Sequence, residues 1–189
     1  MQTNSLERIV PDQIHETRAT GQQALALHLD RYRFAATHST AGRILDIACG
    51  VGYGTNLLFD SASGCQYALG LDTDQDSITY GSNRYQQQGL EFVVDDAMTF
   101  SGKDPFDSII TLETIEHLPD PEGFISHLTS LLRPGGMLIV SVPTTPTVDA
   151  NPYHLHDFTK KSFRTLASTF PLKNWPEYPR NHSFRVTPS

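Results

Sequence analysis

The run Ile44-Leu45-Asp46-Ile47-Ala48-Cys49-Gly50-Val51-Gly52-Tyr53-Gly54 limits the possible folds of this chain more than any other stretch. A short β-branched piece of buried-strand character leads into glycines at every second position, and a helical pattern begins near Tyr53. Glycine lets the backbone turn sharply and approach a ligand without Cβ interference, while the first turn of the following helix offers unpaired N–H groups. A strand, glycine turn and helix in that order is the geometry of a nucleotide-binding turn at the edge of a parallel sheet. The rest of the chain supplies such a sheet. Short apolar runs alternate with amphipathic stretches, which predicts strands over 44–48, 67–72, 91–94, 108–112 and 137–142 and helices over 53–60, 77–88 and 121–132. Arg133-Pro134-Gly135-Gly136 is expected to stop the last of these helices and turn the chain into the fifth strand.

At 189 residues, with 38% hydrophobic and 19% charged residues, the chain reads as a single α/β domain over 1–189. Residues 1–40 are expected to form a helical lid segment, with Leu25, Leu27, Leu29, Tyr32 and Phe34 among polar neighbours. Residues 43–143 form the cofactor-binding core, and 144–189 an acceptor-side loop, a helix near 160–168 and a final short hairpin over 173–186. Cys49 and Cys65 are too few for a disulfide framework. With no apolar run in the first thirty residues, the expectation is a cytoplasmic protein without a membrane anchor. The net charge of −7 disfavours a nucleic-acid partner and favours a small-molecule one. Lys160, Lys161 and Arg164 sit at helical spacing and read as a solvated face. Oligomeric state is not legible.

A glycine turn alone is weak. Asp72 ends the second strand 20 residues after Gly52, where its carboxylate, beside Thr73, can accept from ribose hydroxyls. That pairing suits a dinucleotide equally well. Against one, Thr55 stands where the third glycine of G-x-G-x-x-G would fall, and a further acidic pair, Asp95-Asp96, ends the third strand with Asp96 placed to accept from an adenine amino group.

These segments, with Gly70-Leu71-Asp72, Asp95-Asp96-Ala97, Phe106-Asp107-Ser108-Ile109-Ile110 and Leu131-Leu132-Arg133-Pro134-Gly135-Gly136, resemble the successive motifs of class I S-adenosylmethionine-dependent methyltransferases over roughly residues 43–143. The resemblance implies a Rossmann-like seven-stranded sheet flanked by helices, its last strand antiparallel. It also implies S-adenosylmethionine as cofactor and S-adenosylhomocysteine as product, with methionine over Gly50 and Gly52, ribose on Asp72 and adenine near Asp96 and Ala97. Asp46 would help hold the cofactor's ammonium group through backbone or water. Where the family often has glycine this chain has Ala48, whose methyl group must fit close to the cofactor. Glu113 belongs to the same surroundings, and Tyr32 or Arg31 of the lid segment would contact the methionine carboxylate, with a packed core position for Tyr32 as the alternative.

The acceptor side rests on histidines, because imidazole titrates near operating pH and suits a general base. His117 follows the fourth strand, and His154 and His156 follow the fifth, at the strand ends where ligands bind in open α/β sheets. Structural roles for all three are the alternative. Glu113, Glu116 and His117 at i, i+3 and i+4 with a later His also resemble the pattern of the Hen1-type RNA 3′-terminal 2′-O-methyltransferases, which implies a metal. The leading expectation is nevertheless metal-free methyl transfer to an oxygen or nitrogen of a metabolite. A Hen1-like RNA enzyme and a non-catalytic cofactor-binding partner subunit are the alternatives.

Overall fold

A computed structural model describes residues 9–13, 19–144, 151–170, 172–173 and 183–188. The elements run α1 (Ala19–His38), β1 (Gly42–Ile47), α2 (Tyr53–Ser61), β2 (Cys65–Asp72), α3 (Gln75–Arg84), β3 (Leu90–Val94), β4 (Phe106–Leu112), α4 (Pro121–Leu131), β5 (Leu132–Ser141), α5 (Lys160–Ser168), β6 (Leu172–Lys173) and β7 (Ser183–Pro188), with short 3-10 turns at Pro11–Gln13 and Ile115–His117. Strand order is β3-β2-β1-β4-β5-β7-β6. The first five strands pair in parallel, and β7 runs antiparallel to β5 and to β6. The order reverses between β1 and its neighbours β2 and β4, which opens a crevice at their C-terminal ends.

Alternation along the central strands decides which helices cover which face. Leu45, Ile47, Leu69, Leu71, Ile109, Leu138 and Val140 point to one side and pack against Phe124, Ile125 and Leu128 of α4 and Phe163 of α5. Ile44, Ala68, Ile110 and Ile139 point to the other, against Tyr32, Ala35 and Ala36 of α1 and Leu58 of α2. Most of these side chains are buried, each contributing roughly 1.5–3 kcal/mol by leaving water.

Element ends follow local chemistry. Asp74 caps α3 by accepting from the Ser77 N–H at 2.9 Å, which starts that helix at Gln75. The helix then stops at Arg84, short of the expected residue 88, because Tyr85 leaves it to pack on Phe92, with ring centroids 6.4 Å apart. Asp120 caps α4 in the same way, accepting from Gly123 N–H at 2.9 Å, with Pro121 at the first helical position. Arg133-Pro134-Gly135-Gly136, expected as a turn between α4 and the fifth strand, lies within β5, whose pairing with β4 shifts register across it. Gly135 takes a left-handed φ of 77°, and Arg133 pairs with Asp107, whose carboxylate also accepts from the Arg43 N–H at 2.6 Å. This one aspartate therefore ties the start of β4 to β1 and β5.

Within the expected helical segment of residues 1–40, α1 begins at Ala19 among the described residues, and residues 14–18 lie outside them. So do residues 145–150 of the acceptor-side loop and 174–182 within the hairpin segment. Lys160, Lys161 and Arg164 are exposed on α5, whose opposite side buries Phe163 and Ala167, as a solvated face requires. No helix among the described residues is long and apolar enough to cross a membrane.

Candidate active site

The turn after β1 is held by backbone contacts to β2. Cys49 N–H donates to Leu71 O at 3.0 Å and Gly50 N–H to Asp72 Oδ2 at 2.8 Å, while Asp72 Oδ1 accepts from Asp74 N–H at 3.0 Å. Asp72 is thus a clamp between two turns, and a carboxylate with about four acceptor positions keeps capacity for ribose hydroxyls. The glycines divide the labour. A Cβ at Gly52, where φ is 83°, would strike the Phe92 ring, and one at Gly54 would strike the Tyr32 ring, so both are there for close packing. Gly50 has φ 55° and nothing within 4 Å of its missing Cβ, so it faces open space. This is the side on which a ligand can lie against the backbone.

Ala48 is exposed and left-handed, with φ 56°. Its backbone adopts a conformation that disfavours any Cβ, by about 1–2 kcal/mol, so the departure from glycine is a matter of local strain as well as of room beside a ligand.

Asp46 occupies an inward position on the α1 and α2 face of β1, where an apolar residue would otherwise sit, and is fully buried. Thr55 Oγ1 donates to it at 2.6 Å and Tyr32 Oη at 3.3 Å. Burial pushes its carboxyl up to about 7, with the nearby Asp72 adding to the rise and the two hydrogen bonds opposing it. Tyr32 is 6% exposed, and burial together with Asp46 holds its phenol firmly protonated. Tyr32 therefore takes the packed core position, the alternative to a cofactor contact, and joins α1 to β1. The residue of this helix that reaches toward the crevice is Arg31, which donates to Glu113 Oε2 at 3.1 Å. One turn earlier, His28 Nδ1 bonds Tyr53 Oη at 2.9 Å, and burial followed by the Arg31 charge lowers that imidazole to about 4, leaving it neutral.

On the adenine side, Asp96 is exposed and accepts through Oδ1 from Met98 N–H at 2.8 Å, a turn that leaves Ala97 packed against the core. Thr73 is exposed between Asp72 and Asp74.

Glu113 sits past the end of β4 with φ 52°, its Oε1 accepting from Ser141 Oγ at 2.6 Å. This left-handed residue breaks the helical spacing expected over residues 113–117. Glu113 turns to Ser141 and Arg31, whereas Glu116 and His117 face His154 across the crevice edge. The His117 and His154 rings meet edge to face, centroids 4.6 Å apart. His156 turns away, its Nε2 donating to Leu118 O at 2.9 Å. Of the three expected histidines the fold unites two and uses the third to pin the loop. Ser141 is not signalled in the sequence, whereas Glu116 stands in the Glu113, Glu116, His117 spacing and is brought beside His117 and His154. Two surface hollows, of about 680 and 340 Å³, lie along α3 and α2 and include none of the residues of the turn that face the crevice.

A parallel sheet whose first strand ends in a left-handed glycine turn, clamped by a carboxylate from the next strand, defines a nucleotide-cofactor-binding α/β protein. A methyltransferase-domain family profile matches residues 19–186. The chain belongs to that family. A probable S-adenosylmethionine-dependent methyltransferase of Mycolicibacterium smegmatis is 30% identical over 145 residues, 70% of this chain and 52% of that protein. A fatty-acid O-methyltransferase of the same organism is 33% identical over 119 residues, covering 59% and 43%. The chain thus spans about half the length of these curated relatives. In fold it resembles the N-methyltransferase NodS of Bradyrhizobium japonicum, solved with S-adenosyl-L-homocysteine, at a TM-score of 0.68 and 17% identity over 92% of this chain and 89% of that one.

Proposed function

We propose that the chain binds S-adenosylmethionine over the Gly50 turn and transfers its methyl group to an oxygen or nitrogen of a small molecule. The observation that carries this reading is the open, left-handed backbone at Gly50 beside Asp72, a cradle that any side chain would fill. Family membership and the S-adenosylhomocysteine-bound fold relative support the choice of cofactor. The fatty-acid O-methyltransferase relative supports a small acceptor, as does the net charge of −7, which opposes a polyanion.

When bound, the cofactor supplies a methyl group already activated on a sulfonium, so the protein's work is alignment. Asp72 would accept from the ribose hydroxyls and Asp96 from the adenine amino group, with Thr73 and Ala97 beside them. Asp46 would help hold the ammonium group through backbone or water, and the strained Ala48 together with Gly52 would shape the turn. Glu113 would keep Arg31 at the rim of the crevice. His117 and His154 would face the acceptor and receive its proton, and His156 would hold their loop.

Calorimetry of the purified chain with S-adenosylmethionine and S-adenosylhomocysteine tests the cofactor, and absence of binding to either overturns the reading. Radiolabel carried from the cofactor into the small-molecule fraction of an extract is the expected outcome for the acceptor. Label appearing only in RNA would replace it with the Hen1-like alternative, and tight binding without transfer would favour a partner subunit.

A further inference from the structure

Four large apolar side chains are exposed among the described residues, and the two most exposed, Tyr153 at 69% and Leu155 at 54%, stand two positions apart in one loop. That loop also carries His154, whose ring meets His117 at the crevice edge. Single apolar residues on a surface need no explanation, but a pair beside a functional opening marks a contact.

The exposure is not slack in the chain. Tyr153 N–H donates to Asn151 Oδ1 at 3.0 Å, and Tyr153 O accepts from His117 Nδ1 at 3.0 Å. Leu155 and His156 N–H groups both donate to Glu116 O, at 2.7 and 3.2 Å, and His156 Nε2 donates to Leu118 O. Main-chain bonds thus hold the backbone around both apolar side chains, which a fixed scaffold presents to water.

The helix that follows adds charge. Phe158 packs on Phe163, ring centroids 5.7 Å apart, which seats the loop against α5. Phe163 and Ala167 face the core, and Lys160, Lys161 and Arg164 lie exposed on the other side. Side chains at i, i+1 and i+4 share an arc of about 100°. No acidic residue stands in the first turn of α5, although the helix dipole favours one there. Residues 151–170 therefore hold three cations against the single carboxylate of Asp157, within a chain of net charge −7.

We propose that the loop over residues 151–158 and the cationic face of α5 form one docking surface for an anionic lipid bilayer. Tyr153 and Leu155 enter the headgroup layer, and Lys160, Lys161 and Arg164 face the lipid phosphates. Tyrosine suits that depth, its ring apolar and its hydroxyl wet. A few cations and a shallow apolar pair each bind weakly alone, and stable attachment takes two such signals together.

The same chemistry selects a bilayer over other polyanions. Leu155 gains nothing from a phosphate chain in water, and a net charge of −7 opposes a nucleic acid that wraps the molecule. A flat surface meets one face only. At physiological salt, charges beyond about 8 Å are screened, so the local cations govern the contact. The contact is peripheral and requires no membrane-crossing helix. Because Leu155 is bonded to Glu116, docking brings the crevice edge to the lipid, and a lipophilic acceptor enters without crossing water. That consequence rests on the methyl-transfer reading, whereas docking is a property of the chain alone.

The test is co-sedimentation of the purified full chain with vesicles of phosphatidylcholine alone and of phosphatidylcholine carrying about 30% phosphatidylglycerol. Binding to the anionic vesicles should exceed that to the neutral ones by about 100-fold, and the difference should vanish in about 0.5 M salt. Lys161→Gln should weaken anionic binding about fivefold, and Lys160→Gln, Lys161→Gln and Arg164→Gln together should bring it to the neutral level. Lys103→Gln, equally exposed but beyond β3, should leave it unchanged. Tyr153→Ser with Leu155→Ser should weaken it by about 10-fold. Thermal melting and S-adenosylmethionine affinity of the triple variant, both expected at wild-type values, separate loss of the contact from loss of the fold. Equal binding to the two vesicle types, no binding to either, or a triple variant that binds like wild type overturns the proposal. Binding to polyuridylate as tight as to the anionic vesicles overturns it too, in favour of a nucleic acid. A chain that binds S-adenosylmethionine but no vesicles defeats only this inference; one that binds anionic vesicles but no S-adenosylmethionine defeats only the cofactor reading.

Discussion

The two sides of the crevice are built by different means. At the ends of β1 and β2, the cradle is made of backbone: left-handed residues at 48, 50 and 52, N–H groups on the Asp72 carboxylate, and glycines that admit neighbouring rings. At the ends of β4 and β5, side chains from separate segments converge, with Glu113 reaching Ser141 and Arg31, and His117 meeting His154. A backbone cradle tolerates change only where no Cβ intrudes. A side-chain site tolerates change of the fold around it but not of its own residues, and so lends itself to new acceptors.

Substitutions can break this contrast. The largest effect expected is on the pH dependence beneath the cradle. Asp46 rises from its usual 3.8 to about 7 in the folded chain, so the folded state holds this proton more tightly than the unfolded one. Its stabilising share is complete below about pH 4 and lost as pH climbs through about 7, on the order of 4 kcal/mol. Denaturant titrations across that range should show the component in wild type and none in Asp46→Asn; parallel curves would refute it.

Gly54→Val comes next. Its new side chain meets the Tyr32 ring, and overpacking of about 3 kcal/mol should lower the melting temperature sharply, with partial recovery in a Gly54→Val, Tyr32→Ala double variant. Across the crevice, His154→Ala should cut turnover about 100-fold by removing a proton acceptor, while cofactor affinity measured by calorimetry stays within about twofold. A matching loss of affinity would mean that the two sides are one unit. The smallest change, Ala48→Gly, should stabilise the chain by about 1 kcal/mol in a thermal melt, by removing a Cβ from a left-handed position.

The cradle was legible before the fold was seen because its parts are local. Gly50, Gly52 and Gly54 mark a turn by their own conformational freedom, and Asp72 lies one strand-helix-strand unit away, a spacing that parallel sheets make nearly constant. Tyr32 and Arg31 could not be told apart in sequence because α1 has aromatic and cationic residues side by side, and which one points inward depends on packing against Asp46 and Gly54. That Glu113 turns away from Glu116 and His117 was not legible for a backbone reason, since a left-handed Glu113 is invisible to a spacing argument.

From the sequence alone came the alternation that makes a parallel sheet, the glycine turn and the carboxylate that clamps it, because periodicity and φ preferences act over a few residues. Tertiary structure alone decided that Tyr32 is an anchor, that Arg31 pairs with Glu113, and that His154 rather than His156 meets His117. Those pairings depend on the register of β4 against β5 and on the main-chain bonds from Leu155 and His156 to Glu116, which join residues too far apart in the chain for any local pattern to record.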